Sequence, residues 1–231
     1  MDKKYYHLTT DENAKRILKE GLLPIHGERK DMIHDEREGV FLCCKEDIPY
    51  WKIILNLPAI LEISNVKIDD ENMYNYIDYK EYVYTNKIES KDIKRVNMKV
   101  ETTEAMKTLS HRYIMSLSLF TVHCARYYYY DMSDKELHDD INYEADSLLA
   151  VLPNIDFSVC GVDDIKEFLK IEGESGEYTI CDNYEPTGHR LYVQLIHYPK
   201  DDLSAKRRKI YEYIKTNLKG CLRISTGGWC G

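Results

Sequence analysis

Three short segments hold the residue types that could do chemistry. The first is Tyr5-Tyr6-His7-Leu8-Thr9-Thr10. The second is Gly39-Val40-Phe41-Leu42, with Tyr50 and Trp51 nine and ten residues beyond Phe41, and the third is Glu81-Tyr82-Val83-Tyr84. A carboxylate such as Glu81 can stabilise positive charge developing at a reacting carbon. It can also orient or deprotonate an incoming acceptor. The imidazole of His7 can bond a hydroxyl, and the aromatic side chains offer faces on which a flat ring stacks. None of this chemistry needs a metal.

The elements that must position these residues are legible as short strands and helices. Residues 4–9 read as a strand. A helix follows over 11–20, with Thr10 or Asp11 as N-cap, Ala14, Ile17 and Leu18 on one face, and Gly21 as its stop. Residues 24–38 are polar and read as a loop. Residues 39–44 form an apolar strand, and 46–54 read as a helix carrying Tyr50 and Trp51. Residues 58–64 and 80–87 alternate like strands. Residues 91–95 read as a turn and 96–101 as a further strand.

The character of the chain changes near residue 103. The pattern predicts helices over 103–130, 133–151, 163–171 and 203–218, and strands over 177–181 and 190–198. Met106, Leu109, Tyr113, Leu117, Phe120 and Cys124 fall near one face of the first helix. This gives an α+β chain with a strand-rich part, 1–100, and a helical part with a small sheet, 101–231. His138, Asp139, Asp140, Glu144 and Asp146 read as a solvated acidic helix face. The run Tyr127–Tyr130 reads as a packed helix end.

Composition narrows the classes further. The 231 residues suffice for a packed core, and 43% hydrophobic with 31% charged residues excludes a disordered chain. A net charge of −8 argues against a general polyanion binder. The run Lys206-Arg207-Arg208-Lys209 reads as the solvated face of a helix, with a nucleic-acid contact as its alternative. Seven scattered cysteines form no disulfide framework and no zinc pattern, which suits a reducing, cytoplasmic setting. No stretch reads as a signal peptide or a membrane span. Tyrosine dominates the aromatics, at 20 against 4 Phe and 2 Trp, which suits half-buried positions and stacking pockets but reads mainly as a compositional bias that also loads the chain with Lys, Ile and Asn.

The three segments resemble the ADP-ribosyltransferase superfamily, in its diphtheria-toxin-like and PARP-like branch. That branch places a His-Tyr-Glu triad on three separated strands. Its His strand reads like "YHxT" and precedes a helix ending "ILxxGL". Residues 14–24, AKRILKEGLLP, are similar to that helix. The segment at Gly39–Leu42 is similar to the family's "GIYF"-like middle strand, and Glu81–Tyr84 to its "EYIVY"-like Glu strand. Phe41 stands where the family usually has Tyr. The resemblance covers residues 4–96.

The resemblance implies a split β-sheet core that binds NAD as a co-substrate, without a metal. It implies Glu81 and His7 as catalytic residues, and Tyr6, His7, Leu8, Thr9, Phe41, Tyr50 and Trp51 as the NAD-binding set. His7 would bond a ribose hydroxyl, the Leu8 backbone would hold the nicotinamide carboxamide, and Tyr50 or Trp51 would stack on the ring. The activity implied is mono-ADP-ribosylation of a macromolecular acceptor, protein or nucleic acid, by a toxin or phage-conflict factor that could have an inhibitor or antitoxin partner and needs no membrane. Two other readings share the fold. One is an NAD-dependent RNA 2′-phosphotransferase, with Arg16, Arg29 and Arg37 as candidates to hold phosphate. The other is a non-enzymatic binding module.

Overall fold

The computed structural model describes residues 3–24, 38–130, 134–159, 192–194, 202–217 and 223–225. The expected helix at 163–171, the strand at 177–181 and most of that at 190–198 lie outside the described residues, as do Arg29 and Arg37. The chain divides into two compact units, Met1–Thr108 and Leu109–Gly231. The division falls eight residues beyond the boundary expected at 100.

The first unit begins with β1 (Tyr5–Thr9) and α1 (Asp11–Glu20). Thr10 is the N-cap, its hydroxyl accepting from Asn13 N–H at 3.1 Å. Ala14 and Ile17 are buried, as the helical spacing requires. Gly21 ends α1 at φ +87°, and a Cβ there would meet Ile88 O at 2.5 Å, so only glycine fits. Next come β2 (Val40–Leu42), a 3₁₀ turn (Lys45–Asp47) and α2 (Ile48–Leu55). Then follow β3 (Ala59–Ile63), β4 (Met73–Asn75), β5 (Lys80–Tyr84) and β6 (Ile93–Val96).

These strands form two antiparallel three-stranded sheets, ordered β1-β3-β6 and β2-β5-β4. β4 is absent from the sequence reading because Met73-Tyr74-Asn75 is too short to show alternation. The strand expected at 96–101 lies earlier, at β6, where Ile93 pairs with Ile63 and Val96 with Ile60. The two sheets are joined by one hydrogen-bonded bridge. Tyr6 N–H donates to Cys43 O at 2.8 Å and Cys43 N–H to Tyr6 O at 2.9 Å. A core of Tyr5, Ile17, Val40, Leu42, Leu61, Ile63 and Ile93 lies beneath them. Burial of aliphatic side chains of this size contributes roughly 1.5–3 kcal/mol each.

The second unit holds most of α3 (Thr103–Tyr130), all of α4 (Lys135–Val151) and α5 (Asp202–Asn217), and a parallel pair, β7 (Tyr192–Gln194) with β8 (Arg223–Ser225). Along α3, Leu109, Ile114, Leu117, Phe120 and Cys124 are buried. Ile114 thus takes the core position expected of Tyr113. α5 packs on α4, where Lys206 Nζ donates to Asn142 Oδ1 at 2.9 Å and Asp146 Oδ2 at 2.8 Å. Tyr213 closes the contact, donating to Leu152 O at 2.5 Å.

Two charge assignments change here. The basic run is not one solvated face: Arg207 is 1% exposed while Arg208 and Lys209 are exposed. Consecutive helical residues point about 100° apart, so a run of four cations must turn one inward when the helix is packed. The acidic face of α4 is divided too. Asp139 and Asp140 are exposed, but Glu144 accepts from His123 Nδ1–H at 2.7 Å. Among the described residues, no group of three metal-ligating side chains is present and no helix is long and apolar enough to cross a membrane.

Candidate functional site

The point where the two sheets meet opens into a cleft of about 280 Å³, its mouth included. Tyr6, His7 and Leu8 of β1, Phe41, Leu42 and Cys43 of β2, Trp51 and Leu55 of α2, and Glu81 of β5 line it. The structure therefore brings together residues from all three sequence segments. Two expected members stand apart from the lining. Thr9 is buried in β1, and Tyr50 is half-buried and stacks on Tyr79 with ring centroids 5.5 Å apart.

The cleft exists because strand pairing stops. In an antiparallel ladder, residues whose peptide groups bond to one neighbour alternate with residues bonding to the other. Tyr6 bonds to Cys43, so Leu8 turns its N–H and C=O in the same direction. A continued ladder would join Leu8 to Phe41. Instead, pairing ends at Tyr6–Cys43, and His7 Nδ1 lies 2.9 Å from Phe41 O. A carbonyl can only accept, so Nδ1 carries the proton and Nε2 is the acceptor of the neutral imidazole. The Leu8 peptide groups face the opening between the sheets.

At the β5 side of the cleft the corresponding gap is closed. β5 bonds to β2 through Tyr82 and Tyr84, so Lys80 turns its peptide groups to where β2 has already ended. Side chains from the turn before α2 and from α2 itself take over. Lys80 N–H donates to Asp47 Oδ1 at 3.2 Å, and Trp51 Nε1–H donates to Lys80 O at 2.9 Å. The next residue is Glu81, 3% exposed, whose Oε2 accepts from the Tyr76 hydroxyl at 3.4 Å. Tyr76 and Tyr79 stack at 4.7 Å, and Trp51 packs edge-on against Tyr79 at 5.0 Å.

Electrostatics separate the groups near the cleft. Burial pushes the Cys43 thiol well above the usual range, and the Asp47 and Glu81 carboxylates add to the rise. Cys43 is therefore a neutral wall of the cleft, not a nucleophile. Burial also raises the Asp47 carboxyl, against the opposing hydrogen bond from Lys80 N–H. Tyr6 has a second engagement: its hydroxyl donates to Glu62 Oε2 at 3.4 Å, and Lys4 and Lys94 bridge Glu62 Oε1 at 2.8 and 3.0 Å.

Sequence reasoning missed Asp47, Tyr76 and Tyr79, together with the cleft-lining Leu42, Cys43 and Leu55. Only the tyrosines left a signal, the dense run at 74, 76, 79, 82 and 84 around Glu81. No protein-family model, curated protein or solved structure matches this chain.

Proposed function

We propose that the first unit is an ADP-ribosyltransferase core and that its cleft cleaves NAD, passing ADP-ribose to a macromolecular acceptor. The observation that carries this reading is the convergence of His7, Phe41, Trp51 and Glu81, drawn from β1, β2, α2 and β5, around one opening beside the unpaired edge of Leu8. That opening suits an amide-bearing aromatic ring. Phe41 and Trp51 offer apolar faces, and the Leu8 N–H and C=O match the carboxamide's acceptor and donor. The role given to Tyr50 passes to these two residues, and Tyr50 supports Tyr79 from behind.

In this reading His7 Nε2 bonds a ribose hydroxyl while Nδ1–H keeps the ring oriented on Phe41 O. Breaking the bond between ribose and nicotinamide passes through an oxocarbenium-like state, as in glycoside hydrolysis. The bonding pair leaves with nicotinamide, which departs neutral. Glu81 stabilises the positive charge left on the sugar. The acceptor then bonds to the sugar carbon and its proton passes to Glu81. Phe41 packs on the ring without a hydroxyl, so this chain performs the step without a phenol at that position.

The 2′-phosphotransferase reading needs arginines at the cleft. Among the described residues Arg16 is exposed on α1 and bonds Asn13 at 3.4 Å, and no arginine lines the opening. The experiment is incubation of the protein with NAD labelled on its adenylate in a cell lysate, followed by protease or nuclease digestion. Label retained on protein or nucleic acid in wild type and lost with Glu81→Gln is the expected result and names the acceptor class. Label transferred equally by both proteins contradicts the proposal.

A further inference from the structure

The two peptide groups of Lys80 are gripped by two side chains four residues apart. Asp47 accepts from the N–H at 3.2 Å, and Trp51 donates to the C=O at 2.9 Å. Both side chains are buried, Asp47 at 6% and Trp51 at 4% exposure. The spacing is that of one helical turn, which sets the two groups one above the other. β5 here lacks the strand neighbour that would ordinarily satisfy Lys80, because β2 ends at Leu42. Glu81, the next residue, has its own peptide groups directed to Tyr74 of β4. The first turn of α2 and the residue before it thus complete the edge of the sheet at the point where the cleft carboxylate emerges.

We propose that Asp47 and Trp51 are positioning residues that fix Lys80 through the peptide groups on either side of it and so place the Glu81 carboxylate in the cleft. Neither acts on substrate through this grip. Trp51 has a second use, since its ring also lines the opening. The grip needs an acceptor at Asp47, not a charge, and burial favours the neutral carboxyl there. Asparagine therefore keeps the function and alanine removes it. The kinetic consequence rests on the transferase reading; the fixing of Lys80 does not.

The test compares Asp47→Ala and Asp47→Asn with wild type in two measurements on the full chain. The first is hydrogen exchange at the Lys80 amide. Exchange about tenfold faster or more in Asp47→Ala, restored in Asp47→Asn, is expected when an amide loses its acceptor. The second is steady-state release of nicotinamide from NAD. A fall in kcat of about 100-fold with KM within about twofold is expected, because a misplacement near 1 Å costs that much. Unchanged exchange, an Asp47→Asn variant as impaired as Asp47→Ala, or a loss confined to KM overturns the proposal. Should Asp47→Ala not fold, Asp47→Leu, which removes the acceptor and keeps the site filled, carries both measurements. Should wild type release no nicotinamide, the transferase reading fails and the exchange result alone decides the positioning.

Discussion

Both units bury charged or titratable groups, and they use them differently. In the first unit Asp47 and Glu81 are buried where strands end, beside an opening, and each faces a partner that fixes its position. In the second, Arg207 is buried between packed helices, on the turn that carries Lys206 to Asp146. A buried charge beside a cleft can be spent on chemistry. A buried charge inside a helix packing can only hold the packing or strain it. On the proposed reading, the mark of the site is not burial of charge but burial next to interrupted pairing.

The sharpest way to break this contrast is to remove the large buried cation. Arg207→Ala should destabilise the second unit by about 3 kcal/mol, the range for emptying a core position. Denaturant titration checks it, and a loss under about 0.5 kcal/mol would mean that Arg207 is no part of a core. On the cleft side, His7→Ala should cost about 1 kcal/mol for the lost bond to Phe41 O and lower nicotinamide release about 100-fold, through loss of a positioned contact. Equal release by the variant would detach His7 from the reaction.

A pH series reads the burial of Asp47. Its carboxyl is raised above the ordinary 3.8 by burial, so the folded state holds that proton more tightly than the unfolded chain. Its contribution to stability is then complete below the unfolded value and is lost as pH rises through the raised folded value. Asp47→Asn cannot titrate. Its Tm should therefore gain on wild type between about pH 3 and pH 7, as thermal melts across that range would show. A gap that narrows with rising pH would contradict the burial argument.

The smallest effect belongs to Glu62. Lys4 and Lys94 lower its carboxyl, but both lysines are more than half exposed. Solvent screening keeps the gain from these pairs as small as that of an exposed ion pair. Glu62→Gln should cost correspondingly little near pH 7, and the difference should vanish as pH falls through the lowered value. A loss of several kcal/mol would show the network to be more deeply buried than its lysines are.

How much of this was legible in the sequence depends on the range of the interaction involved. The strand carrying His7, helix α1 with its Thr10 cap and Gly21 stop, and the strand at Glu81 were all readable from local patterning. So were the segments that meet at the cleft. Asp47 was not, because its use depends on β2 ending early and on Lys80 lacking a neighbour, which is a property of pairing and not of any one segment. Tyr50 and Trp51 are adjacent and read alike, but the helix turns only Trp51 into the cleft. The turn at residues 76–79, which sets Tyr76 on Glu81, has the same long-range character. Arg207 illustrates the opposite error: a basic run reads as surface, and only the packing of α5 on α4 reveals the buried member.

In the proposed reaction the opening between the two sheets cleaves NAD with Glu81 as its carboxylate. Nicotinamide release from NAD by purified wild type and by Glu81→Gln tests it most directly. Measurable release by wild type and a reduction of about 10³-fold or more in the variant are expected, with unchanged Tm, since the substitution keeps the shape of the side chain. Release equal in the two proteins, or absent from wild type whatever acceptor is supplied, would contradict it.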